Sequence, residues 1–400
     1  MQEQAFKYDI VIVGLQPWNV ALGSNCVDIA KEFSTFCRVL YVNRPSDWRS
    51  EVKKWINKFF STSTGAKNNG YKLTEFEKNL WVLDTGIILD SINLLKGTLF
   101  KFFLLRNNRK LACVIRQASS ELSFNNYLLF NDNDFFQGQF LKEELSPHLY
   151  IYYLRDFLIT QPYFRRNGKV MEENILKKAD YVFTNSHYLK KYAEQYNHAS
   201  FYIGQGCSLT SLSSDIENHS RPIELSGINK PIVGYIGNLV TLRLDLALLE
   251  KVAAIRNDLF WIFVGPLDDG FAKSKLKLLP NVIFTGHKAQ HELANFISCF
   301  SVCINPQVLN ETTIGNYPRK IDEYMLFGKP VIARKTDFTQ ELGNLVYQYE
   351  TEQQFLEMLD LAILEDGKSD LFEERKSVAK THTWKNSVKK IVDTVLMPKA

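Results

Sequence analysis

Six cysteines occur in 400 residues, at positions 26, 37, 113, 207, 299 and 303, and no two stand as Cys-x-x-Cys. That spacing argues against structural zinc and offers no disulfide framework, so reduced and mostly buried thiols in a cytoplasmic setting are expected. No stretch approaches the roughly 18–20 apolar residues of a membrane-spanning helix; "TLFKFFLL" at 98–105 is far shorter. The opening "MQEQAFKYDIVIVGLQ" lacks a basic segment leading into a long apolar core, so no secretory signal is expected. The turn after the first apolar run reads "GLQPWNVALGSN" and carries no Gly-x-Gly-x-x-Gly, which argues against NAD or FAD in the first half. A Walker A loop, Gly-x-Ser-x-Gly and His-Glu-x-x-His are also missing, which disfavours ATP hydrolysis, an esterase-type serine and a zincin centre.

What is present describes an ordinary globular chain: 45% hydrophobic and 23% charged residues. Its length suits two domains of about 200 residues each. The formal charge of +4 is unevenly spread, with 26 Lys+Arg against 20 Asp+Glu in residues 1–210 and 22 against 24 in the rest. The first half is therefore the part suited to an anionic partner, although a solvated face accounts for the same charges. Nucleic acid is not expected, because no RNA-binding motif occurs and the second half is slightly acidic.

Apolar runs alternate with helical patterns along the whole chain. "YDIVIVG" (8–14), "VDIAKEF" (27–33) and "RVLYVN" (38–43) form a strand–helix–strand unit, the start of a doubly wound parallel sheet. Strands are predicted at "LWVLD", "NYLLFN", "LYIYYL", "DYVFTNS" and "SFYIGQG". The polar stretch 208–230 reads as a linker. The pattern then restarts with strands at "PIVGYIG", "LFWIFVGP", "NVIFTG" and "FSVCINP". Helices are predicted at "LDLALLEKVAAI" and "HELANFIS". The expected architecture is α/β: Rossmann-like domains at 1–207 and 231–382 facing across a cleft, followed by a helix at 383–400 that packs back on the first domain. Small-molecule sites commonly form in such clefts.

Two stretches of the second half suggest an anion site. In "GYIGNLVTLR", Gly237 ends a strand, where bare backbone can approach a phosphate closely, Asn238 follows, and Arg243 supplies a cation. In "NYPRKIDEYMLFGKPVIARK", Pro318 suits the first turn of a helix and Gly328 its left-handed end. Lys320 and Glu323 share a face near the start of that helix. They are either a surface ion pair worth under about 1 kcal/mol or ligands for a diphosphate and for adjacent ribose hydroxyls. His287, after the strand "NVIFTG", is a further candidate for touching a nucleotide, against the blander reading of a polar loop histidine.

Together, "VFTNSHYLKKYAEQYNHASFYIGQGC", "PIVGYIGNLVTLRLDLALLE", "FWIFVGPL" and "YPRKIDEYMLFGKPVIA" resemble GT-B glycosyltransferases of the retaining GT4-like group, on the branch of bacterial surface-polysaccharide enzymes with teichuronic-acid-type transferases. "QPWNVALGSNCVDIAKEFSTFCRVLYVNRP" resembles the first strand–helix–strand unit of that branch. The resemblance implies a hexose transferred, with retention, from a nucleotide-diphosphate sugar to a glycan or lipid-linked acceptor. The donor would bind the second domain at Gly237, Asn238, Arg243, Gly265, His287, Tyr317, Lys320 and Glu323. Arg243 and Lys320 would stabilise the leaving diphosphate.

The acceptor would meet the first domain at Trp18, Gly23, Ser24 and Asn25, of which the last three equally suit a helix start. Asp156 is carried over as acceptor positioning or base, with Arg155 standing where the family frequently has histidine; the alternative for Asp156 is a helix N-cap. The family often has an earlier glutamate at the position held here by Gly315. Backbone N–H groups of "TTIGNY" (312–317) are expected to replace it. No metal or other cofactor is expected, since "NDND" (131–134) only superficially resembles a metal-binding pair.

The aromatic and basic stretches 48–67 and 94–110 suit an anionic membrane surface, or equally an ordinary amphipathic helix packed on its domain. The expected location is cytoplasmic, peripheral to the inner membrane face. Two rival readings are a non-catalytic sugar-nucleotide sensor and a GT-B-shaped epimerase acting on a UDP-sugar.

Overall fold

The computed structural model describes residues 6–19, 24–48, 70–207, 219–365 and 370–396. The chain divides into two compact units, Met1–Ile203 with Val388–Ala400, and Gly204–Ser387.

The first unit is built on β1 (Asp9–Gly14), α1 (Asn25–Ser34), β2 (Val39–Val42), the short β3 (Ser46–Asp47), β4 (Lys72–Glu77), β5 (Leu80–Asp84), the short β6 (Ile88–Leu89), α2 (Gly97–Glu121), β7 (Tyr127–Asp132), α3 (Leu141–Leu145), β8 (Leu149–Leu154), α4 (Pro162–Lys178), β9 (Tyr181–Thr184), α5 (His187–Glu194) and β10 (Ser200–Tyr202). Eight strands form one sheet in the order β10-β9-β8-β7-β1-β2-β5-β4. Near-continuous apolar runs such as "DIVIVG" and "LYIYYL" are buried along almost their whole length, as strands covered on both faces must be.

Pairing is parallel except at β4, which runs antiparallel to β5 with a bulge between Glu75 and Glu77. The sequence reading missed β4 because "KLTEFE" is charged and mostly exposed. Such charges suit an edge strand, where they deter pairing with a second chain.

The second unit repeats the plan with β11 (Ile232–Ile236), α6 (Leu246–Ile255), β12 (Phe260–Val264), α7 (Asp269–Ala272), β13 (Val282–Gly286), α8 (Gln290–Cys299), β14 (Val302–Asn305), α9 (Lys320–Leu326), β15 (Val331–Arg334), α10 (Asp337–Glu341), β16 (Tyr347–Tyr349), α11 (Glu352–Leu364) and α12 (Asp370–Thr381). Its six strands, all parallel, are ordered β13-β12-β11-β14-β15-β16. Buried Arg375 of α12 ties this unit together, pairing with Glu365 and donating from Nε to the Leu345 carbonyl at 2.8 Å.

The last helix, α13 (Trp384–Leu396), joins the first unit from Val388 onward. There Lys390 Nζ donates to the Ile203 carbonyl at 3.4 Å and lies 5.6 Å from the centre of the Tyr202 ring. The packing of the final helix on the first domain is thus realised.

Candidate active site

In the second sheet β11 is flanked by β12 on one side and β14 on the other. In open α/β sheets, ligands bind past the carboxyl ends of the strands where the order reverses in this way. Gly237 is the first residue beyond β11 and Gly265 the first beyond β12, with φ of 138° and 140°. L side chains rarely adopt such values.

Space is restricted there as well. A methyl group on Gly265 would stand 2.1 Å from the Gly237 carbonyl oxygen. One on Gly237 would stand 2.0 Å from Lys320 Cε and 2.6 Å from Nζ. The Lys320 side chain therefore lies directly over the bare backbone at the end of β11, its ammonium also 5.6 Å from the centre of the Tyr235 ring. Three predicted residues, Gly237, Gly265 and Lys320, converge at the switch point.

Helix α9 begins at Lys320, two residues later than Pro318 would suggest, and Gly328 closes it with φ of 66°. Lys320 and Glu323 do not form the surface pair that the sequence left open. Glu323 instead accepts from Arg319 Nε at 3.2 Å. Tyr324 anchors the helix from below, its hydroxyl accepting the Ile236 N–H at 2.8 Å, one residue short of Gly237.

Asp322 faces inward and is wholly buried. Its Oδ2 accepts from the Tyr317 hydroxyl at 2.7 Å and its Oδ1 lies 2.8 Å from His382 Nδ1. Burial raises the Asp322 pKa, against the bonds from His382 and Tyr317. Tyr317, expected at the donor, is thus a buried member of this network.

Asn238 and Arg243 are exposed in the turn after β11. His287 is exposed at the end of β13, two strands from β11, hence about 10 Å away at the usual strand spacing. The "TTIGNY" loop engages several of its own N–H groups. The N–H groups of Thr312 and Thr313 donate to Asn310 Oδ1 at 2.9 and 3.1 Å, Ile314 N–H to the Asn310 carbonyl at 2.9 Å, and Asn316 N–H to Thr313 at 3.0 Å. These four donors close the loop on itself.

In the first unit the order reverses between β1 and β7, where Gly14 pairs with Asp132. Arg155 lies against the wholly buried Asp132, donating from Nε at 2.7 Å and Nη2 at 3.2 Å, and its Nη1 reaches Asp156 Oδ2 at 2.5 Å. Burial works against the Arg155 charge, but the two carboxylates outweigh it and raise its pKa. Asp156 is one-third exposed and is held by this arginine rather than capping a helix with its side chain.

All four residues of "NDND" are at most 2% exposed, and Asp134 Oδ1 is engaged by the Phe136 and Gln137 N–H groups. Trp18 is buried, packed edge-on against Tyr41 and Phe76. Ser24 caps α1 through its carbonyl, which accepts the Asp28 N–H, while its buried hydroxyl has no hydrogen-bond partner. Asn25 is the first residue of α1; Gly23 lies outside the described residues. An open cavity, unforeseen from sequence, is lined by Arg44, Asp47, Asp90, Asn93, Gln137 and Tyr163 among others.

Residues 230–361 match the family model described as glycosyl transferases group 1. Among curated proteins the chain is similar to TuaH of Bacillus subtilis (strain 168), named for a glycosyltransferase role in teichuronic acid biosynthesis. The two are 25% identical over 232 residues, 55% of this chain and 58% of that protein, so the match spans little more than half of the relative. Among solved structures, sucrose-phosphate synthase from Thermosynechococcus elongatus superposes with a TM-score of 0.69 at 14% identity, covering 97% of this chain and 98% of that one. HepE from Anabaena, in complex with UDP and glucose, gives 0.62 at 16% identity, covering 97% and 99%. A trehalose-6-phosphate protein from Escherichia coli bound with UDP-2-fluoro glucose gives 0.68 at 11%, covering 98% and 99%. The fold is GT-B, and the stretch that matches group 1 glycosyl transferases lies in its second unit.

Within this GT-B chain the second unit owes its geometry to residues that motif reading passed over. Tyr235, Asp322, Tyr324 and His382 look like ordinary core or loop positions in sequence. Along α9 Lys320 and Glu323 are partly exposed, whereas Ile321, Asp322 and Tyr324 are buried. Among the described residues no helix is long and apolar enough to cross a membrane, and no group of three or more His, Cys, Asp or Glu is arranged to hold a metal ion.

Proposed function

We propose that this protein is a retaining glycosyltransferase that takes a hexose from a nucleotide-diphosphate sugar bound by the second unit and transfers it to a glycan or lipid-linked acceptor bound by the first. One observation carries the reading: Lys320 lies across the glycine-lined switch point of the second sheet, where only bare backbone fits beneath it. An ammonium in that position serves as the counter-charge for a diphosphate that gains negative charge as the sugar departs. Arg243, exposed after β11, adds a second cation. Glu323, aimed by Arg319, accepts the ribose hydroxyls. The Anabaena HepE structure holds UDP and glucose and the Escherichia coli trehalose-6-phosphate protein UDP-2-fluoro glucose, which makes UDP the first nucleotide to test.

On the acceptor side, the cavity of the first unit has carboxylate, guanidinium and amide groups beside the half-exposed ring of Tyr163, a lining suited to a hydroxylated sugar. Asp156, oriented by Arg155, is the carboxylate assigned to acceptor positioning or proton removal. Leu94, Leu99 and Phe102 are 74%, 52% and 62% exposed around the start of α2, where Lys96 and Lys101 also lie. That surface suits an anionic membrane carrying a lipid-linked acceptor. Of the stretch 48–67, only Trp48 falls within the described residues. The reaction is assigned no metal, and turnover is expected to survive a chelator.

The test is thermal-shift screening of wild type and Glu323→Ala against UDP, GDP, ADP, CMP and their sugar conjugates. A ligand at about 100 times its Kd stabilises by about 2.7 kcal/mol. A shift with one nucleotide diphosphate, lost in the variant, is the expected result. No shift with any of them would remove the donor site.

A further inference from the structure

We propose that Tyr317, Asp322 and His382 are positioning residues that couple the nucleotide site on α9 to the segments by which the chain enters and leaves the second unit. The inference rests on the donor-site reading above and goes beyond it, because it gives these three side chains a role that needs no contact with a ligand.

Asp322 lies between Lys320 and Glu323 in sequence but points away from the site, into the protein. It is wholly buried, and its two oxygens are divided between Tyr317 at 2.7 Å and His382 at 2.8 Å. Tyr317 Oη and His382 Nδ1 are themselves 3.0 Å apart, closing a three-membered ring of polar groups. Anchoring a seven-residue helix does not require this. Replacing buried ionic clusters by apolar side chains of similar size is often neutral or stabilising, and their best-attested use is to specify one geometry.

The far end of the ring explains what is specified. His382 follows α12, and its carbonyl accepts the Cys207 N–H at 2.9 Å. Thr383 forms a bridge with Cys207. At the next position the indole of Trp384 lies on Gly206, so close that a methyl there would be 2.1 Å from Cδ2. The chain enters the second unit at Gly204 and leaves it after Ser387. His382 thus joins both segments through its backbone and α9 through its imidazole. A displacement of α9 by one turn of a side chain would break either the Asp322–His382 bond or the Cys207–His382 bond. Ligand on Lys320 and Glu323 favours the arrangement in which both are intact, and such coupling works equally in both directions.

The experiment measures calorimetric affinity for whichever of UDP, GDP and ADP binds wild type best, together with amide hydrogen exchange at Cys207. The proteins compared are wild type, His382→Leu, His382→Gln, Tyr317→Phe and Leu359→Ala. The last removes a buried side chain from elsewhere in the same unit and controls for destabilisation. Coupling free energies of the usual size correspond to about 5- to 150-fold; we expect His382→Leu to lose about tenfold in affinity, Tyr317→Phe less, and His382→Gln to recover most of the loss. Nucleotide should slow Cys207 exchange in wild type and leave it unchanged in His382→Leu.

Wild-type affinity in His382→Leu, or an equal loss in Leu359→Ala, would overturn the inference while leaving the donor site standing. If His382→Leu does not fold, the same comparison is decided by Tyr317→Phe and His382→Gln. Failure of wild type to bind any of the three nucleotides would instead overturn the donor-site reading, and this inference with it.

Discussion

Replacing Gly237 with alanine separates the conformational and chemical parts of the nucleotide site. The backbone there has φ of 138°, and residues held in such regions cost about 1–3 kcal/mol. For a unit of this size, each kcal/mol corresponds to roughly 2–4 °C of melting temperature. The new methyl also overlaps Lys320 Cε, 2.0 Å away, and the flexible lysine is what yields. Stability should therefore register only the backbone strain, a fall of roughly 2–12 °C. Nucleotide affinity should register the displaced ammonium. A charge-assisted hydrogen bond contributes about 1.5–3 kcal/mol, so the loss should be about 10- to 100-fold at 1.4 kcal/mol per decade.

Calorimetric titration of Gly237→Ala, Lys320→Ala and the double variant makes a cycle. Lys320→Ala should match Gly237→Ala in affinity without sharing its strain, and the double variant should bind no more weakly than either. Normal affinity in Gly237→Ala beside weak binding in Lys320→Ala would refute the placement of the lysine over the glycine. Normal affinity in Lys320→Ala would refute its role as the phosphate ligand.

Three further outcomes are expected. Glu172 is buried on α4, accepts from the Tyr192 hydroxyl at 3.1 Å, and is pushed up to about 8, chiefly by burial. Unfolded glutamate titrates near 4.3, so between about pH 4.5 and 8 the folded state holds a proton that the unfolded state has lost. Stability contributed by this site must fall as pH rises through that window and level off above it. Urea melts at several pH values should show the slope in wild type and its disappearance in Glu172→Gln. Arg155→Met leaves the buried Asp132 without its partner and should cost about 3–5 kcal/mol; adding Asp132→Asn should restore part of that in the same melts. Cys113 is exposed whereas Cys26, Cys37, Cys207 and Cys303 are buried, so brief alkylation followed by mass spectrometry should label Cys113 and spare those four until the chain is unfolded.

The strands and helices of both units were legible from their apolar runs because a parallel sheet covered on both faces writes its burial directly into consecutive residues. The longest strand missed, "KLTEFE", is exposed at an edge and carries no such record; the two- and three-residue strands β3, β6 and β16 are too short to leave one. Helices α11 and α12 were also not identified, and α12 is held to its unit by Arg375, a residue whose burial no local pattern predicts. Gly237 and Lys320 could be named as candidates from a strand-end glycine and a cation near a helix start, and Gly265 from the family resemblance.

Sequence by itself determined the alternation of strands and helices, the restart after the linker and the types of residue available to a diphosphate. Their meeting at one point was decided by tertiary structure. Gly237 and Lys320 touch only because β11 and α9 are brought together by the reversal of strand order. Likewise, whether Lys320 reaches Gly237, and whether Asp322 faces solvent or His382, depends on the rotation of α9 about its axis. Tyr324 against Ile236 and Asp322 against His382 set that rotation, through partners distant in the chain. Spacing within one helix states which residues share a face; only packing against the rest of the protein states where that face looks.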